Sequence, residues 1–229
     1  MTSHGLRAVL FDLDGTLVDT LQDIAHALNG ALAAAGLPTW PLAEYRELVG
    51  EGARRLVEKA LPADQQPRAE PLLRDFLRRY DEQLLVHTRP YPGVPELLEA
   101  LSGRGLRLAV LSNKPHPLTV RVVEGLLPRA RFAAVVGQRE GVPRKPDPTA
   151  ALRLADELGV PPAAWAYVGD TRTDMQTAVG AGMLPVGVLW GYRGREELLA
   201  AGARRLAATP DELADELARL LSAGPGYDA

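Results

Sequence analysis

The chain contains no cysteine among its 229 residues. That absence excludes disulfide bonds, thiolate metal sites and a cysteine nucleophile, and it suits a cytoplasmic protein, whose thiols are kept reduced. No apolar run approaches the ~18 residues that a membrane span needs, and no apolar signal region precedes the first predicted strand. We therefore expect a cytoplasmic protein with no membrane partner.

An excess of charge is also missing, because 26 basic residues stand against 29 acidic ones and leave a formal net charge of −3. A chain this close to neutrality gives no reason to expect nucleic acid or an anionic surface as a partner. Hydrophobic residues make up 46% of the chain and charged residues 24%, which is typical of a globular protein with a real core. We expect a monomer or a homodimer.

Lysine and asparagine are rare. Lys59, Lys114 and Lys145 are the three lysines beside 23 arginines, and Asn29 and Asn113 are the only asparagines. A lysine retained in such a chain is a candidate for a site where the wider guanidinium does not serve. Lys145, which a proline follows, is the candidate with a physical reason, whereas Lys59 has no such constraint.

The apolar run at residues 8–11 has the length of a buried strand and leads into Asp12 and Asp14. Side chains two residues apart in an extended chain point the same way, so both carboxylates can face one site. Two adjacent carboxylates repel each other, which indicates a hard cation or a shared proton. On these residues alone, a strand followed by an ordinary Asp/Gly turn remains the alternative.

The pattern of apolar residues divides the chain into two parts. From Thr16 to Arg89 the periodicity predicts four helices and no convincing strand. Helices then alternate with strands, which are predicted at residues 106–111, 133–136, 165–168 and 184–188. This alternation predicts an α/β fold with a doubly wound parallel sheet. We predict a core domain of residues 1–16 and 90–229 and a helical domain of residues 17–89.

Polar residues follow the later predicted strands. Ser112 and Asn113 can donate hydrogen bonds to a phosphate from the end of one strand, although a turn before Pro115 would use the same residues. Lys145 follows the next strand and offers a compact ammonium that can neutralise a phosphate and a carboxylate together. The sequence therefore predicts a phosphate site at the strand ends.

Two more carboxylates, Asp170 and Asp174, follow the strand predicted at 165–168. Both are explained equally well as an N-cap and a favourable charge in the first turn of a helix. Residues four apart in a helix also share a face, so with Asp12 and Asp14 they would form the oxygen-rich cluster that Mg²⁺ prefers. Four carboxylates converging without a cation would be strongly unfavourable.

In this order the segments resemble the four motifs of the haloacid dehalogenase superfamily in its phosphatase form. The matching positions are Asp12-x-Asp14, Ser112, Lys145 and Gly169-Asp170-x-x-x-Asp174. The resemblance covers the whole predicted sheet domain. It implies a Rossmann-like α/β core with an inserted four-helix cap domain, which is where this superfamily places its cap.

The resemblance also implies a role for each matched residue. Asp12 would be the nucleophile that forms an aspartyl-phosphate, and Asp14 its acid/base partner. Mg²⁺ would be bound by Asp12, by the main-chain carbonyl of Asp14 and by Asp170, with Asp174 in support. The phosphoryl oxygens would be held by Ser112, Asn113 and Lys145.

Residues 48–56 and 112–115 are further similar to segments of phosphoglycolate phosphatases. This implies Mg²⁺-dependent hydrolysis of a small phosphorylated metabolite, with 2-phosphoglycolate as the first candidate. A phosphomutase or a pyrophosphatase of the same superfamily is the alternative. A dehalogenase would not need Asp14, and a non-catalytic binding module should have lost a motif residue. Gly50 and Gly52 have no evident folding role in the sequence, so we expect the Gly50–Arg54 turn to close over the organic part of the substrate.

Overall fold

A computed structural model describes residues 5–222 of the chain. Its strands are β1 (Ala8–Phe11), β2 (Val18–Asp19), β3 (Arg89–Pro90), β4 (Arg107–Pro115), β5 (Phe132–Gln138), β6 (Trp165–Gly169), β7 (Leu184–Val188) and β8 (Arg205–Ala207). Its α-helices are α1 (Leu21–Ala34), α2 (Tyr45–Leu48), α3 (Ala53–Ala60), α4 (Ala69–Glu82), α5 (Val94–Gly103), α6 (His116–Leu126), α7 (Thr149–Glu157), α8 (Arg172–Ala181), α9 (Arg195–Ala200) and α10 (Pro210–Ser222). Within residues 5–222, no helix has the length and hydropathy that a bilayer crossing requires.

Six strands form one parallel sheet in the order β5-β4-β1-β6-β7-β8. Every residue of β1 is buried, since helices cover both faces of the sheet. Val9 and Phe11 pack into the core on one face, and Ala8 and Leu10 pack into the core on the other. This alternation is the two-residue period of a strand that is buried on both sides. The predicted doubly wound α/β fold is confirmed.

Residues 17–89, which we call the helical insert, contain α1 to α4. The main apolar contact inside it joins α1 to α4, with Leu28 and Phe76 buried in the same core cluster. Where the chain enters and leaves this segment, β2 and β3 pair antiparallel, with Val18 opposite Pro90. The four predicted helices are confirmed, while a domain boundary at residues 17 and 89 stays a prediction.

The chain departs from the sequence-based expectation at its later elements. β4 continues to Pro115 instead of ending at residue 111, because Pro115 pairs with Gln138 of β5 beyond a register shift. Helix α9 and strand β8 were not predicted, and the expectation of no strand between Thr16 and Arg89 is wrong, because β2 pairs with β3 there. β8 is three residues long at the edge of the sheet, too short for a periodic pattern to reveal it.

Candidate active site

The strand order determines which motifs meet. β1 lies between β4 and β6, so the carboxyl ends of these three strands are neighbours. Asp12 and Asp14 follow β1, Ser112 lies near the end of β4, and Asp170 follows β6 directly. Ligands of open α/β sheets bind outside the carboxyl ends of the strands. Residues separated by as many as 158 positions therefore reach one edge of the sheet.

The loop after β1 is held against the loop after β6. Gly15 has a φ of +88°, and a Cβ atom there would lie 2.3 Å from Oδ2 of Asp170, so only glycine allows this approach. The Thr16 hydroxyl donates a hydrogen bond of 2.9 Å to Oδ1 of Asp170. The backbone N–H of Tyr192 donates to Oδ2 at 2.8 Å. These contacts keep Asp170 beside the first motif.

Asp12, Asp170 and Asp174 form a buried acidic cluster, in which one oxygen of each lies within 4.8 Å of the others. Burial, with help from the neighbouring carboxylates Asp174 and Asp14, raises the pKa of Asp12 to about 7. Burial and the charges of Asp174 and Asp12 also raise the pKa of Asp170 well above its ordinary value. The cluster therefore favours a cation or a proton.

Lys145 supplies the positive charge inside this cluster. Its Nζ lies 2.7 Å from Oδ1 of Asp12 and 2.7 Å from Oδ1 of Asp174, and it donates to the Leu111 carbonyl at 3.1 Å. Burial alone would lower the pKa of Lys145, but the two carboxylates raise it well above its ordinary value. One ammonium offsets one of three carboxylate charges, so the cluster keeps two negative charges when all three are ionised, the charge that a divalent cation balances.

Asp174 caps a helix in addition to its ion pair with Lys145. Its Oδ2 accepts hydrogen bonds from the backbone N–H of Thr171 at 3.0 Å and from the Thr171 hydroxyl at 2.6 Å. This pair forms the capping box that begins α8. The structural role considered from the sequence and the position in the acidic cluster are thus both present in one residue.

Asn113 has partners that differ from the predicted phosphate. Its side-chain amide donates to the carbonyls of Gly50 and Lys145, both at 3.1 Å, and its oxygen accepts from the Lys145 N–H at 3.0 Å. Asn113 therefore joins the loop that carries Lys145 to the helical insert. Ser112 lines the cavity beside Asp12. Contact of Ser112 and Asn113 with a phosphoryl group stays a prediction.

Lys114 is a site residue that the sequence reasoning did not assign. Its Nζ lies 2.6 and 2.8 Å from the two carboxylate oxygens of Asp14 and donates to the Tyr80 hydroxyl at 2.6 Å. The scarcity of lysine was a signal that could have identified it, because two of the three lysines lie in this site. The third, Lys59, pairs with Glu51 on the helical insert at 2.7 Å.

A cavity that is partly open to solvent separates the strand ends from the helical insert. Asp12, Asp14, Ser112, Asn113 and Lys114 line it on the core side. The insert contributes mainly apolar side chains, which include Ile24, Val49, Leu56, Phe76, Leu77 and the ring of Tyr80. Among residues 5–222, the charged groups that line the cavity therefore lie on the core side, at the strand ends.

The helical insert is closed onto the core. Arg193 donates to the carbonyls of Glu47 and Val49, each at 3.2 Å, at the end of α2. Arg172 lies 3.3 Å from the carboxylate of Glu51. The loop between α2 and α3 is thereby held over the strand ends, and it covers the cavity from one side.

The expectation that Gly50 and Gly52 lack a folding role is wrong. Gly50 has a φ of +123° and Gly52 a φ of +90°, which favour glycine at both positions. A Cβ atom on Gly52 would also lie 3.1 Å from the Asn113 carbonyl oxygen. The loop therefore favours glycine at both positions for its backbone conformation, and at Gly52 also for its close approach to the core.

Comparisons with known proteins identify the family of this chain. Residues 9–188 match the haloacid dehalogenase-like hydrolase family, and the chain belongs to that family. It is 38% identical over 222 residues to N-acetylmuramic acid 6-phosphate phosphatase of Pseudomonas aeruginosa, covering 94% of this chain and 96% of the relative. It is 36% identical over 208 residues to phosphoglycolate phosphatase of Xanthomonas campestris pv. campestris, covering 90% and 94%.

A solved structure described as a predicted phosphoglycolate phosphatase from Haemophilus somnus aligns with a TM-score of 0.82 at 28% identity. The alignment covers 92% of this chain and 97% of that one. Within its family the protein is therefore a phosphatase, and its substrate is a small phosphorylated molecule. The predicted resemblance and enzyme class are confirmed.

Proposed function

We propose that this phosphatase hydrolyses a small phosphomonoester with Mg²⁺ through a phosphoryl group carried on Asp12. The observation that supports the proposal most is the buried cluster of Asp12, Asp170 and Asp174, in which Lys145 is the one ammonium. A phosphate dianion approaching such a cluster needs further positive charge. A cytoplasmic location fits the absence of cysteine.

The residues present fit a magnesium ion, whose preferred ligands are oxygens. Asp12 and Asp170 would hold it together with the main-chain carbonyl of Asp14, while Asp174 is occupied by Lys145 and Thr171. A bound Mg²⁺ would supply the positive charge that lets a carboxylate and a phosphate dianion approach each other.

The remaining chemistry belongs to the side chains. Asp12 attacks phosphorus, the bond to the leaving oxygen breaks, and Asp14 transfers a proton to that oxygen. Water then attacks the phosphorus, Asp14 takes its proton, and the bond to Asp12 breaks to release phosphate. Lys145 stays beside Asp12 and offsets negative charge throughout.

Our first candidate substrate is 2-phosphoglycolate, which is supported by the name of the Xanthomonas relative. N-acetylmuramic acid 6-phosphate is the second candidate, supported by the Pseudomonas relative and by the apolar wall that the helical insert presents. A larger leaving group has apolar surface to place against that wall, whereas glycolate is small and charged. The cavity offers one lysine, Lys114, that is already paired with Asp14.

The test is a panel of phosphate compounds assayed for released phosphate with and without Mg²⁺. The panel contains 2-phosphoglycolate, N-acetylmuramic acid 6-phosphate, glucose 1-phosphate and pyrophosphate. We expect hydrolysis of one of the first two, loss of turnover in excess chelator and recovery with added Mg²⁺. Full activity in chelator would contradict the metal, and conversion of glucose 1-phosphate to glucose 6-phosphate or a preference for pyrophosphate would contradict the proposed reaction.

A further inference from the structure

We infer that Lys114 is a positioning residue for Asp14, and that Tyr80 of the helical insert holds Lys114 in place. This inference rests on the proposed function, in which Asp14 is the acid/base partner. It adds two residues to the reaction, one on each side of the cavity. The lysine belongs to β4 of the core and the tyrosine to α4 of the insert.

The Lys114 ammonium donates all of its hydrogen bonds to Asp14 and Tyr80. Its Nζ lies 2.6 and 2.8 Å from the two oxygens of Asp14 and 2.6 Å from the Tyr80 hydroxyl. The Lys114 side chain is 2% exposed, so water does not replace either partner. An ammonium has three donors, and all three point to protein oxygens here. Lys114 therefore holds Asp14 and is not a free cation for the substrate.

Asp14 depends on this contact for its orientation. Within residues 5–222, the side-chain hydrogen bonds to its carboxylate come from Lys114. The carboxylate lines the cavity, and its side chain is 13% exposed. Without Lys114 the carboxylate would sample several rotamers, and an acid/base group works only within hydrogen-bond reach of its proton.

Tyr80 couples this contact to the closed position of the helical insert. Its side chain is buried, its ring stacks on Phe76 with centroids 5.6 Å apart, and Nζ of Lys114 lies 4.8 Å from its ring centroid. Movement of α4 away from the core would remove the hydroxyl from Lys114. The position of Asp14 is thus set when the helical insert is closed onto the core.

The two buried lysines pair with different aspartates of the first motif, Asp12 and Asp14. Lys145 binds Asp12 and Asp174, and Lys114 binds Asp14. Neither lysine contacts the aspartate of the other through a hydrogen bond in the part of the chain that is described. Removing Lys114 should therefore disturb proton transfer at Asp14 more than the attack by Asp12.

The first test compares kcat/KM of Lys114→Met on two esters, 2-phosphoglycolate and p-nitrophenyl phosphate. The nitrophenolate leaves without much help from an acid, whereas an alkoxide needs a proton. We expect a loss of about 10- to 100-fold on the alkyl ester and a clearly smaller loss on the nitrophenyl ester. Asp14→Asn should show the same preference, and Lys114→Met should add little in the Asp14→Asn background.

The second test removes one hydroxyl. Tyr80→Phe keeps the ring on Phe76 and should lower kcat/KM on the alkyl ester by about tenfold, because a hydrogen bond to a charged group is lost. Tyr45→Phe is the matched control, since Tyr45 is an equally buried tyrosine of the insert whose hydroxyl donates to Asn29 at 2.8 Å. Tyr45→Phe should leave kcat/KM on both esters nearly unchanged. Equal melting temperatures check that each variant is folded.

Equal losses of Lys114→Met on both esters, a gain in activity, or full additivity with Asp14→Asn would each overturn the inference. If Lys114→Met does not fold, kcat/KM on the same two esters is compared for Lys114→Arg and Tyr80→Phe. A wild-type enzyme inactive on 2-phosphoglycolate is tested with glycerol 2-phosphate as the alkyl ester. A wild type that hydrolyses no ester contradicts the proposed function itself, which separates that failure from a failure of the inference.

Discussion

Two buried carboxylate sites in this protein have opposite electrostatics. Asp12 is 6% exposed and Asp23, near the start of α1, is 1% exposed. Asp23 accepts hydrogen bonds from the backbone N–H groups of His87 and Thr88 at 2.8–3.0 Å and from the Thr88 hydroxyl at 2.7 Å. Asp12, within residues 5–222, receives a side-chain hydrogen bond only from Lys145.

Both carboxylates are buried, so the difference between their pKa values follows the hydrogen-bond donors. Burial alone would raise the pKa of Asp23, yet the hydrogen bonds from Thr88 and His87 lower it below its ordinary value. Burial is also the largest influence on Asp12, and there it prevails, because Lys145 is shared and Asp174 adds repulsion. A buried carboxylate with enough donors is a structural element, and one with too few is prepared for a cation or for chemistry.

The position of Asp23 fits a structural role. His87 and Thr88 lie just before β3, where the chain returns from the helical insert to the core. The side chain of Asp23 therefore joins the first helix of the insert to its exit. We therefore expect replacement of Asp12 to lower activity and replacement of Asp23 to lower stability.

The largest expected effect comes from Asp12→Asn set against Asp23→Asn. An amide cannot act as the nucleophile, so Asp12→Asn should lose roughly a thousandfold or more in kcat with its fold intact. Asp23→Asn should keep activity within a few-fold and lose about 2–3 kcal/mol of unfolding free energy, because charged hydrogen bonds are lost. Urea denaturation measures the unfolding free energy of each variant, and phosphate release measures its kcat. Activity above a few per cent in Asp12→Asn would exclude it as the nucleophile.

The second prediction concerns Lys145, which Asp12 shares with Asp174. Lys145→Arg should lower kcat/KM by roughly 2–4 kcal/mol of transition-state stabilisation, on the order of 30- to 1,000-fold, since a planar guanidinium crowds Asp12 and Asp174. Lys59→Arg is the control, because Lys59 pairs with Glu51 on the insert and should tolerate the change. Similar kinetics for both variants at matched melting temperatures would remove Lys145 from the phosphate site.

The third prediction separates the two aspartates by pH in the metal-free protein. The folded-state pKa of Asp12 is raised from 3.8 to about 7, so its contribution favours folding at low pH and is lost as the pH rises from about 4 to 7. The folded-state pKa of Asp23 is lowered, so its contribution is present above about pH 4 and is lost as the pH falls further.

Asp12→Asn should flatten the decline of unfolding free energy between pH 4 and 7 by about 4 kcal/mol, and Asp23→Asn should flatten the loss of unfolding free energy below pH 4. Denaturation at a series of pH values with chelator present measures both. If Asp12→Asn leaves the profile between pH 4 and 7 unchanged, the raised pKa of Asp12 is wrong.

The smallest effect is expected from glycines inside and outside the site. Gly52→Ala and Gly36→Ala both replace glycines with positive φ, and each should cost about 1 kcal/mol of stability. A Cβ at Gly52 meets the Asn113 carbonyl at 3.1 Å, whereas at Gly36 it meets nothing within 4 Å. Gly52→Ala alone should therefore also reduce kcat/KM, by a few-fold. Equal activity of the two variants would mean that the loop closing the cavity does not matter for turnover.

The sequence was sufficient to locate the elements that carry the site. The strand at residues 8–11, the helix from residue 210 and the four helices of the insert all have apolar periodicities that depend only on neighbouring residues. Asp12, Asp14, Ser112, Lys145 and Asp170 were predicted as site residues because each follows a strand predicted from the sequence, and the strands of a parallel sheet end at one edge.

Only the tertiary structure decided which partner each side chain has. Lys114 lies 100 positions from Asp14, and Asn113 lies 63 positions from the Gly50 carbonyl, so no local pattern relates them. The donors that distinguish Asp23 from Asp12 likewise come from residues 64 and 65 positions away. Burial and hydrogen bonding depend on how the insert folds back over the sheet, and that packing determines which carboxylate is stabilised by donors and which has few.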